Sequence, residues 1–312
     1  MKKLTSRAAP TAAMAFAPVA ALLAGAAPAQ PATGFAAHYA APYLELDKGS
    51  AADITADERA TGLKDYTLAF LIPEHNAGCT PVWEDGDYSL GTFTSQVRAL
   101  KSAGGQVIVS FGGASGGELA EKCASVPRLA AAYASVVRTY GVDRLDFDIE
   151  GGNVGNTAAD KRRDQALAAL QRSDHSLQVD FTLPVGPGGL QGDAVTLLKG
   201  AKSAGVRVNL VNIMTMDFGD GQNPLKDAES GAKAAVAQIG RIYGGSAKQN
   251  WARLGLTPIA GRNDDREDFT QADATALERF AAGYGVQELS FWEIDSYDKH
   301  DGYAYSRIFT RI

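Results

Sequence analysis

The sequence predicts an α/β protein that folds into a single (β/α)8 TIM barrel. Short apolar segments recur along the chain, helix-length segments with apolar spacing separate them, and the 312 residues are 45% hydrophobic. The predicted strands are residues 38–46, 66–72, 106–112, 144–150, 178–184, 208–217, 254–259 and 288–294. The predicted helices are residues 90–102, 129–140, 159–171, 194–203, 230–243 and 271–282, with 47–64 as the poorest. Eight such units close most naturally into a barrel, and a doubly wound open sheet is the alternative.

The N-terminus has the composition of an export signal. Lys2, Lys3 and Arg7 precede a run rich in alanine and leucine, which ends in small residues at 27–29. A membrane anchor is the alternative, but Pro18 interrupts the run and no basic cluster follows it. We expect a signal peptide at 1–29, a short flexible lead-in at 30–34 and the catalytic barrel at 35–312, in a secreted protein without a membrane anchor after cleavage.

Charge and histidine spacing exclude several kinds of partner. Removing the leader takes away three basic residues and leaves 27 Lys and Arg against 36 Asp and Glu, a net charge of about −9. No basic run with interleaved aromatic residues is present, which argues against nucleic-acid binding and favours a neutral ligand. The histidines lack metal-ligand spacing, so we expect no metal and no cofactor, and we expect a monomer. They are His38, His75, His175 and His300.

Cys79 and Cys123 are the only two cysteines. An even count in an exported chain permits a disulfide, and two separate buried thiols are the alternative.

Residues 144–150 alternate apolar and acidic side chains. On a strand, Leu145, Phe147 and Ile149 point one way and the carboxylates of Asp146, Asp148 and Glu150 the other. In a barrel the apolar set faces the helices, and the carboxylates rise through the interior toward the C-terminal face, where barrel enzymes place their active sites. A solvent-exposed strand edge is the alternative, but parallel sheets are covered on both faces.

Burial and like charges keep carboxylic acids protonated near neutral pH. Glu150, uppermost in the run, is the natural general acid. We expect Asp146 and Asp148 to share a proton and titrate as a pair.

At these residues the sequence resembles glycoside hydrolase family 18, whose signature is Asp-x-x-Asp-x-Asp-x-Glu. Asp143, Asp146, Asp148 and Glu150 match it without a gap. Two further family motifs fall in the correct order, Ser-Phe-Gly-Gly at 110–113 before the signature and a tryptophan at 292 after it.

The resemblance implies a retaining, substrate-assisted reaction. Glu150 would protonate the glycosidic oxygen while the acetamido oxygen of the substrate attacks the anomeric carbon. Asp148 would hold the acetamido N–H and stabilise the developing charge, and Asp146 would support Asp148.

The resemblance also implies roles outside the acidic run. Asp217 and Met216 would contact the sugar, Trp292 would form the apolar floor beneath it, and Ser110 and Tyr43 would reach Asp146, with Tyr39 as a competitor of Tyr43. Asp143, Gly112 and Gly113 would be structural, and Trp83 and Trp251 are either sugar platforms or ordinary packing.

The chain departs from the family pattern at two places. A bacterial subgroup reads Met-Thr-Met-Asp-Tyr on the sixth strand, and here Phe218 replaces the tyrosine after Asp217. We expect the lost hydroxyl to slow the reaction and Phe218→Tyr to raise kcat. The interval 259–271 has no room for the α+β insertion of processive relatives, so we expect an open groove and an endo-acting enzyme.

The sequence therefore predicts a secreted chitinase acting on chitin or N-acetylglucosamine oligosaccharides. An endo-β-N-acetylglucosaminidase acting on N-glycans, and a weakly active chitin-binding chitinase-like protein, are the alternatives.

Overall fold

The computed structural model describes Met1 and residues 34–47, 49–75, 78–84 and 88–312. Apart from Met1 and Gly34, the predicted signal peptide and lead-in lie outside the described residues. Eight parallel strands form the barrel: β1 (Tyr39–Ala40, continued by Tyr43–Glu45), β2 (Asp65–Pro73), β3 (Gln106–Gly112), β4 (Arg144–Asp148), β5 (Gln178–Gly186), β6 (Val208–Met214), β7 (Leu254–Thr257) and β8 (Glu288–Leu289).

The sheet closes through β1. Tyr39–Ala40 pairs with β8, and Tyr43–Glu45 pairs with β2, so each half of the first strand bonds a different neighbour. The remaining strands pair in chain order. The open-sheet alternative is therefore wrong, and the (β/α)8 barrel is confirmed.

A helix follows each strand. They are α1 (Asp53–Thr61), α2 (Thr94–Ser102), α3 (Val126–Tyr140), α4 (Thr157–Ser173), α5 (Gly192–Ala204), α6 (Pro224–Tyr243), α7 (Gln271–Tyr284) and α8 (Ala304–Phe309). Shorter helices lie at Gly113–Gly116, Leu119–Lys122 and Ala247–Trp251. Within the described part of the chain, no helix combines the length and hydropathy needed to cross a membrane.

The apolar face of β4 packs against the helical layer, as predicted. Phe147 stacks on Phe111 of β3 with ring centroids 5.3 Å apart and meets the edge of Tyr133 of α3 at 5.1 Å. Because successive strand residues alternate in direction, Asp146 and Asp148 then face the interior.

The structure adds three small antiparallel hairpins that were not predicted from the sequence, one of which pairs Val185 and Gly186 at the end of β5 with Gly189–Leu190. Pro81–Trp83 pairs with Tyr88–Ser89 and with the end of β2, and Gly261–Arg262 pairs with Asp268–Phe269 beyond β7. Strands of two or three residues are too short to show an alternating pattern, so they resemble loop in the sequence.

Arg144, at the start of β4, is fully buried in the lower barrel. Its Nε lies 2.5 Å from Asp180 of β5, and its Nη2 lies 3.8 Å from Glu288 of β8. The guanidinium also lies over the rings of Phe35 and Tyr39. A buried arginine between two carboxylates offsets their charge.

Candidate active site

A cavity of about 160 Å³ opens at the C-terminal ends of the barrel strands. Its lining brings together six residues that the sequence predicted, five of which are Asp148, Glu150, Met216, Asp217 and Trp292. Tyr43, the sixth, also lines it, with Phe70, Ala114, Thr182, Met214, Thr257, Ile259 and Asp264.

Asp146 lies below this cavity and is held by three hydroxyl groups. Ser110 donates to its Oδ2 at 2.6 Å, Tyr43 donates to the same oxygen at 3.1 Å, and Thr182 donates to Oδ1 at 2.8 Å. Burial raises the pKa of Asp146 to about 7, these hydrogen bonds oppose the rise, and the charge of Asp180 adds to it. Tyr39 is not a competitor of Tyr43, because its hydroxyl donates to Glu288 in the lower barrel.

Asp148 is hydrogen-bonded to Glu150. Burial raises the pKa of Asp148 well above its usual range, and the charges of Glu150 and then Asp146 raise it further. Burial also raises the pKa of Glu150, while the hydrogen bond with Asp148 opposes that rise. Burial and the shared hydrogen bond therefore favour a proton held between the two carboxyl groups.

The sequence analysis named the wrong partner for Asp148. It expected Asp146 and Asp148 to share a proton, but the hydroxyls of Ser110, Tyr43 and Thr182 occupy Asp146. Apart from its pairing with Glu150, the buried Oδ1 of Asp148 has no hydrogen-bond partner among the described residues. Asp148 lines the cavity, so its carboxyl group borders the space that a ligand would occupy.

Trp292 and Phe70 form an aromatic floor for the cavity. Their rings stack at 5.4 Å with an interplanar angle of 12°, and Tyr43 packs against both at 5.9 Å. Indole and phenyl faces of this kind pack well on the apolar face of a sugar ring.

Gly112 and Gly113 are required where the strand leaves the barrel. Both have positive φ, +106° and +83°. A Cβ on Gly112 would stand 2.1 Å from the carbonyl oxygen of Asp148, and a Cβ on Gly113 would stand 2.6 Å from the Phe70 ring. Only glycine lets β3 approach the catalytic strand and the aromatic floor this closely.

Asp217 lies at the rim of the cavity with a left-handed backbone, φ +50°. Its Oδ1 accepts the backbone N–H of Asp265 at 3.2 Å, and Gly219 and Gly221 donate to the carboxylates of Asp265 and Glu267. The hairpin beyond β7 thus holds the Asp217 segment in place.

Phe218 does not have the position that the sequence analysis assumed. Its ring packs against the hydrophobic core, whereas the two residues before it, Met216 and Asp217, line the cavity. The hydroxyl lost at this position would therefore not lie in the cavity lining.

Trp83 and Trp251, which the sequence leaves open as either sugar platforms or packing residues, both pack inside the protein. Trp83 is fully buried, and its Nε1 donates to the Tyr140 hydroxyl at 2.8 Å. Trp251 is 9% exposed and stacks on Tyr284 at 4.3 Å.

Asp143 and the cysteines lie outside the cavity. The Asp143 carbonyl accepts the N–H of Gln178 at 2.7 Å at the N-terminal ends of the strands, opposite the catalytic end. Cys79 and Cys123 form a disulfide with Cα atoms 4.7 Å apart, which joins the loops after β2 and β3 as predicted.

Phe70, Thr182 and Asp264 line the site but were missed from the sequence. Thr182 had one available signal, because it follows Asp180 at a two-residue interval on β5 and so shares its interior face. Asp264 lies on a hairpin too short to predict, and Phe70 is an ordinary apolar strand residue by pattern.

No group of three or more metal-ligating side chains occurs among the residues described here. The chemistry of the cavity is that of carboxyl groups beside an aromatic floor.

Comparison with known proteins assigns the family. The model of Glycosyl hydrolases family 18 matches residues 15–259, well over half of the chain. The chain belongs to this family. Of its four signature acids, Asp143 directly precedes β4, Asp146 and Asp148 lie on it, and Glu150 follows it, with Asp148 and Glu150 in the cavity.

Two curated relatives are similar to this chain. It is 30% identical to a probable bifunctional chitinase/lysozyme of Escherichia coli (strain K12) over 275 residues, covering 82% of this chain and 30% of that protein. It is 30% identical to endochitinase 11 of Metarhizium anisopliae over 274 residues, covering 82% of this chain and 52% of that protein. The chain thus spans about a third to a half of these relatives.

A solved structure agrees over nearly the whole fold. The catalytic domain of a hyperthermophilic chitinase from Pyrococcus furiosus superposes with a TM-score of 0.82 at 32% identity, covering 90% of this chain and 96% of that one. Catalytic-site mutants of that chitinase domain have been crystallised with chito-oligosaccharides.

Proposed function

We propose that this chain is a secreted chitinase that hydrolyses β-1,4-linked N-acetylglucosamine polymers or oligomers with retention. The observation that supports it most is the hydrogen-bonded Asp148–Glu150 pair, both members of which line the same cavity as Trp292. The relatives named as chitinases support the substrate class.

In this mechanism the substrate completes the site. Its acetamido N–H binds Asp148, which favours the Asp148 carboxylate, and the proton of the pair passes to Glu150. Glu150 then protonates the glycosidic oxygen as the acetamido oxygen attacks the anomeric carbon to form an oxazolinium ion. After the leaving group departs, the Glu150 carboxylate takes a proton from water, which opens the ring with net retention.

Asp146 acts in this scheme without touching the substrate. Its three hydroxyl partners fix its carboxylate beneath Asp148, where its charge stabilises the positive oxazolinium ion. Asp217 at the rim is placed to hold the acetamido group from the other side.

Defined N-acetylglucosamine oligomers and an N-glycopeptide test the proposal. The products are identified by mass after incubation with the purified protein. We expect internal cleavage of the oligomers, as an endo-acting enzyme gives. Cleavage of the glycopeptide alone would establish the endo-β-N-acetylglucosaminidase alternative, and binding without cleavage would establish a chitin-binding protein.

Secretion is a second part of the proposal. The Cys79–Cys123 disulfide supports it, because disulfides persist in oxidising compartments. Expression of the full chain in a bacterial host, with the N-terminus of the exported protein read by mass, should show cleavage after Ala29.

A further inference from the structure

A buried asparagine lies behind the hydroxyl groups that hold Asp146. Asn212 is on β6, beside Thr182 of β5, and only 1% of it is exposed. Its Nδ2 donates to the Thr182 hydroxyl oxygen at 3.1 Å and to the Tyr43 hydroxyl oxygen at 3.4 Å. These are two of the three hydroxyls that donate to Asp146. The described residues that line the cavity do not include Asn212, so it reaches the site only through these hydroxyls.

The orientation of the Asn212 amide is set from β7. The Thr257 hydroxyl donates to Asn212 Oδ1 at 2.8 Å, and an amide oxygen can only accept a hydrogen bond. Gly255, the register partner of Asn212 on β7, leaves room for this oxygen, because a Cβ there would stand 2.8 Å from it. With Oδ1 held by Thr257, Nδ2 faces the two hydroxyls.

The amide controls where the two hydroxyl hydrogens can go. The Tyr43 and Thr182 oxygens lie 2.8 Å apart, and either could donate to the other instead of to Asp146. Each hydroxyl has one hydrogen, and Nδ2 donates but does not accept. Neither hydroxyl can therefore turn its hydrogen toward Nδ2, which occupies a lone pair on each oxygen. This arrangement favours Asp146, the charged acceptor, for both hydrogens.

We propose that Asn212 is a positioning residue, whose amide, oriented by Thr257, directs two hydroxyl hydrogens to the Asp146 carboxylate. This inference rests on the proposed function, in which the charge of Asp146 stabilises the oxazolinium ion. Hydrogen bonds to the charged form of an acid favour that form, so loss of the amide favours protonated Asp146. The protonated acid has no charge with which to stabilise the ion, and kcat falls.

Asp146 is in a position to respond to such a change. Burial raises its pKa to about 7, and the hydrogen bonds from Ser110, Thr182 and Tyr43 oppose that rise. The other titratable groups that interact with it are Asp148 on its own strand, Asp180 on β5, Glu288 on β8 and Tyr43 on β1, and Arg144 lies between Asp180 and Glu288. The variants below keep all of these groups, so a change in the pH profile reports the hydrogen bonds.

The first test is the pH profile of kcat on a chitooligosaccharide for the wild type and Asn212→Leu. Leucine has nearly the shape of asparagine but has no donor or acceptor. We expect the acid limb to move to higher pH by roughly one pH unit, about a tenfold loss on that limb, the size of one hydrogen bond to a charged group. KM should change by less than about twofold, because Asn212 lies outside the cavity lining. Asn250→Leu, at a buried asparagine of the helix Ala247–Trp251, is the matched control and should not move the limb.

A second pair of variants tests the orientation of the amide. Thr257→Val removes the hydroxyl but keeps the shape, so it should move the acid limb in the same direction as Asn212→Leu. Thr257→Ser keeps the hydroxyl and should return the limb toward its wild-type position. In the double variant Asn212→Leu/Thr257→Val the two shifts should not add, because Thr257 acts through the amide. The Thr257 pair decides the matter if Asn212→Leu does not fold.

An unchanged acid limb in Asn212→Leu would overturn the inference. So would an equal loss of kcat at every pH, which would indicate a structural role, and so would fully additive shifts in the double variant. A wild-type protein that cleaves no N-acetylglucosamine oligomer would instead refute the proposed function.

Discussion

The barrel interior buries carboxyl groups at both ends of β4, but the charged neighbours of these groups differ between the two ends. At the lower end, Asp180 and Glu288 surround the buried Arg144. At the upper end, Asp148 and Glu150 line the cavity, and no lysine or arginine is among the described residues that line it.

The charged neighbours at each end decide whether the ionised or the protonated form of a buried carboxyl group is favoured. Burial is the largest cause that raises the pKa at both ends, but Arg144 opposes the rise for Asp180 and Glu288. Around Asp148 the neighbouring charges are carboxylates, which add to the rise. A cation beside a buried acid favours its ionised form and opposes the rise in its pKa, whereas neighbouring carboxylates favour the protonated form, which can donate a proton.

The largest expected effect is at the upper end. Glu150→Gln removes the proposed proton donor and should lower kcat by roughly two to four orders of magnitude, the usual contribution of a general acid. Oligosaccharide binding, measured by calorimetry, should remain, because the aromatic floor is unchanged. Undiminished turnover would remove Glu150 from the mechanism.

At the lower end the expected effect is on stability. Arg144→Met leaves Asp180 and Glu288 buried without their cation and should cost about 3–5 kcal/mol in the free energy of unfolding, measured by urea denaturation. Arg98→Met, at an exposed position of α2, is the control and should change it by less than about 0.5 kcal/mol. Equal effects would mean that Arg144 does not hold this end together.

The pH dependence of stability sharpens the same comparison. Burial raises the pKa of Glu288 from 4.5 to about 8, so the folded state binds a proton that the unfolded state releases. Its contribution is present below the unfolded pKa and is lost as the pH rises through the folded pKa.

Glu288→Gln mimics the protonated form of this side chain. Its melting temperature should therefore fall less than that of the wild type between about pH 4.5 and pH 8, the two pKa values of Glu288. Parallel curves for the two proteins would show that Glu288 does not titrate in this window.

The smallest expected effect is at Phe218. The sequence analysis predicted that Phe218→Tyr would raise kcat, but the ring packs against the core and not in the cavity. We therefore expect a change within about twofold, since a hydroxyl there is remote from the acetamido group. A larger rise in kcat would restore the original interpretation.

Much of the site was predictable because it lies on one strand. The strict alternation of residues 144–150 decided which side chains enter the barrel, and the motif at 110–113 placed Ser110 beside Asp146, its register partner on β4. The pairing of Asp148 with Glu150, however, depends on the hydroxyls that occupy Asp146. Those hydroxyls come from β1, β3 and β5, so the sequence of β4 alone does not predict them.

The loops were less predictable for the same reason. The Phe218 ring and the Asp217 carboxylate diverge because the chain turns at Asp217, where a hairpin more than 40 residues later supplies the N–H of Asp265. Such contacts between distant segments leave no local pattern.

The claim that the substrate supplies the nucleophile has a direct test. A thiazoline analogue of N-acetylglucosamine mimics the oxazolinium ion and should inhibit competitively, because Asp148 and Asp146 are placed to stabilise that ion. Inhibition constants are measured against a chitooligosaccharide substrate. We expect the analogue to bind far more tightly than N-acetylglucosamine itself, and no inhibition at millimolar concentration would contradict the account.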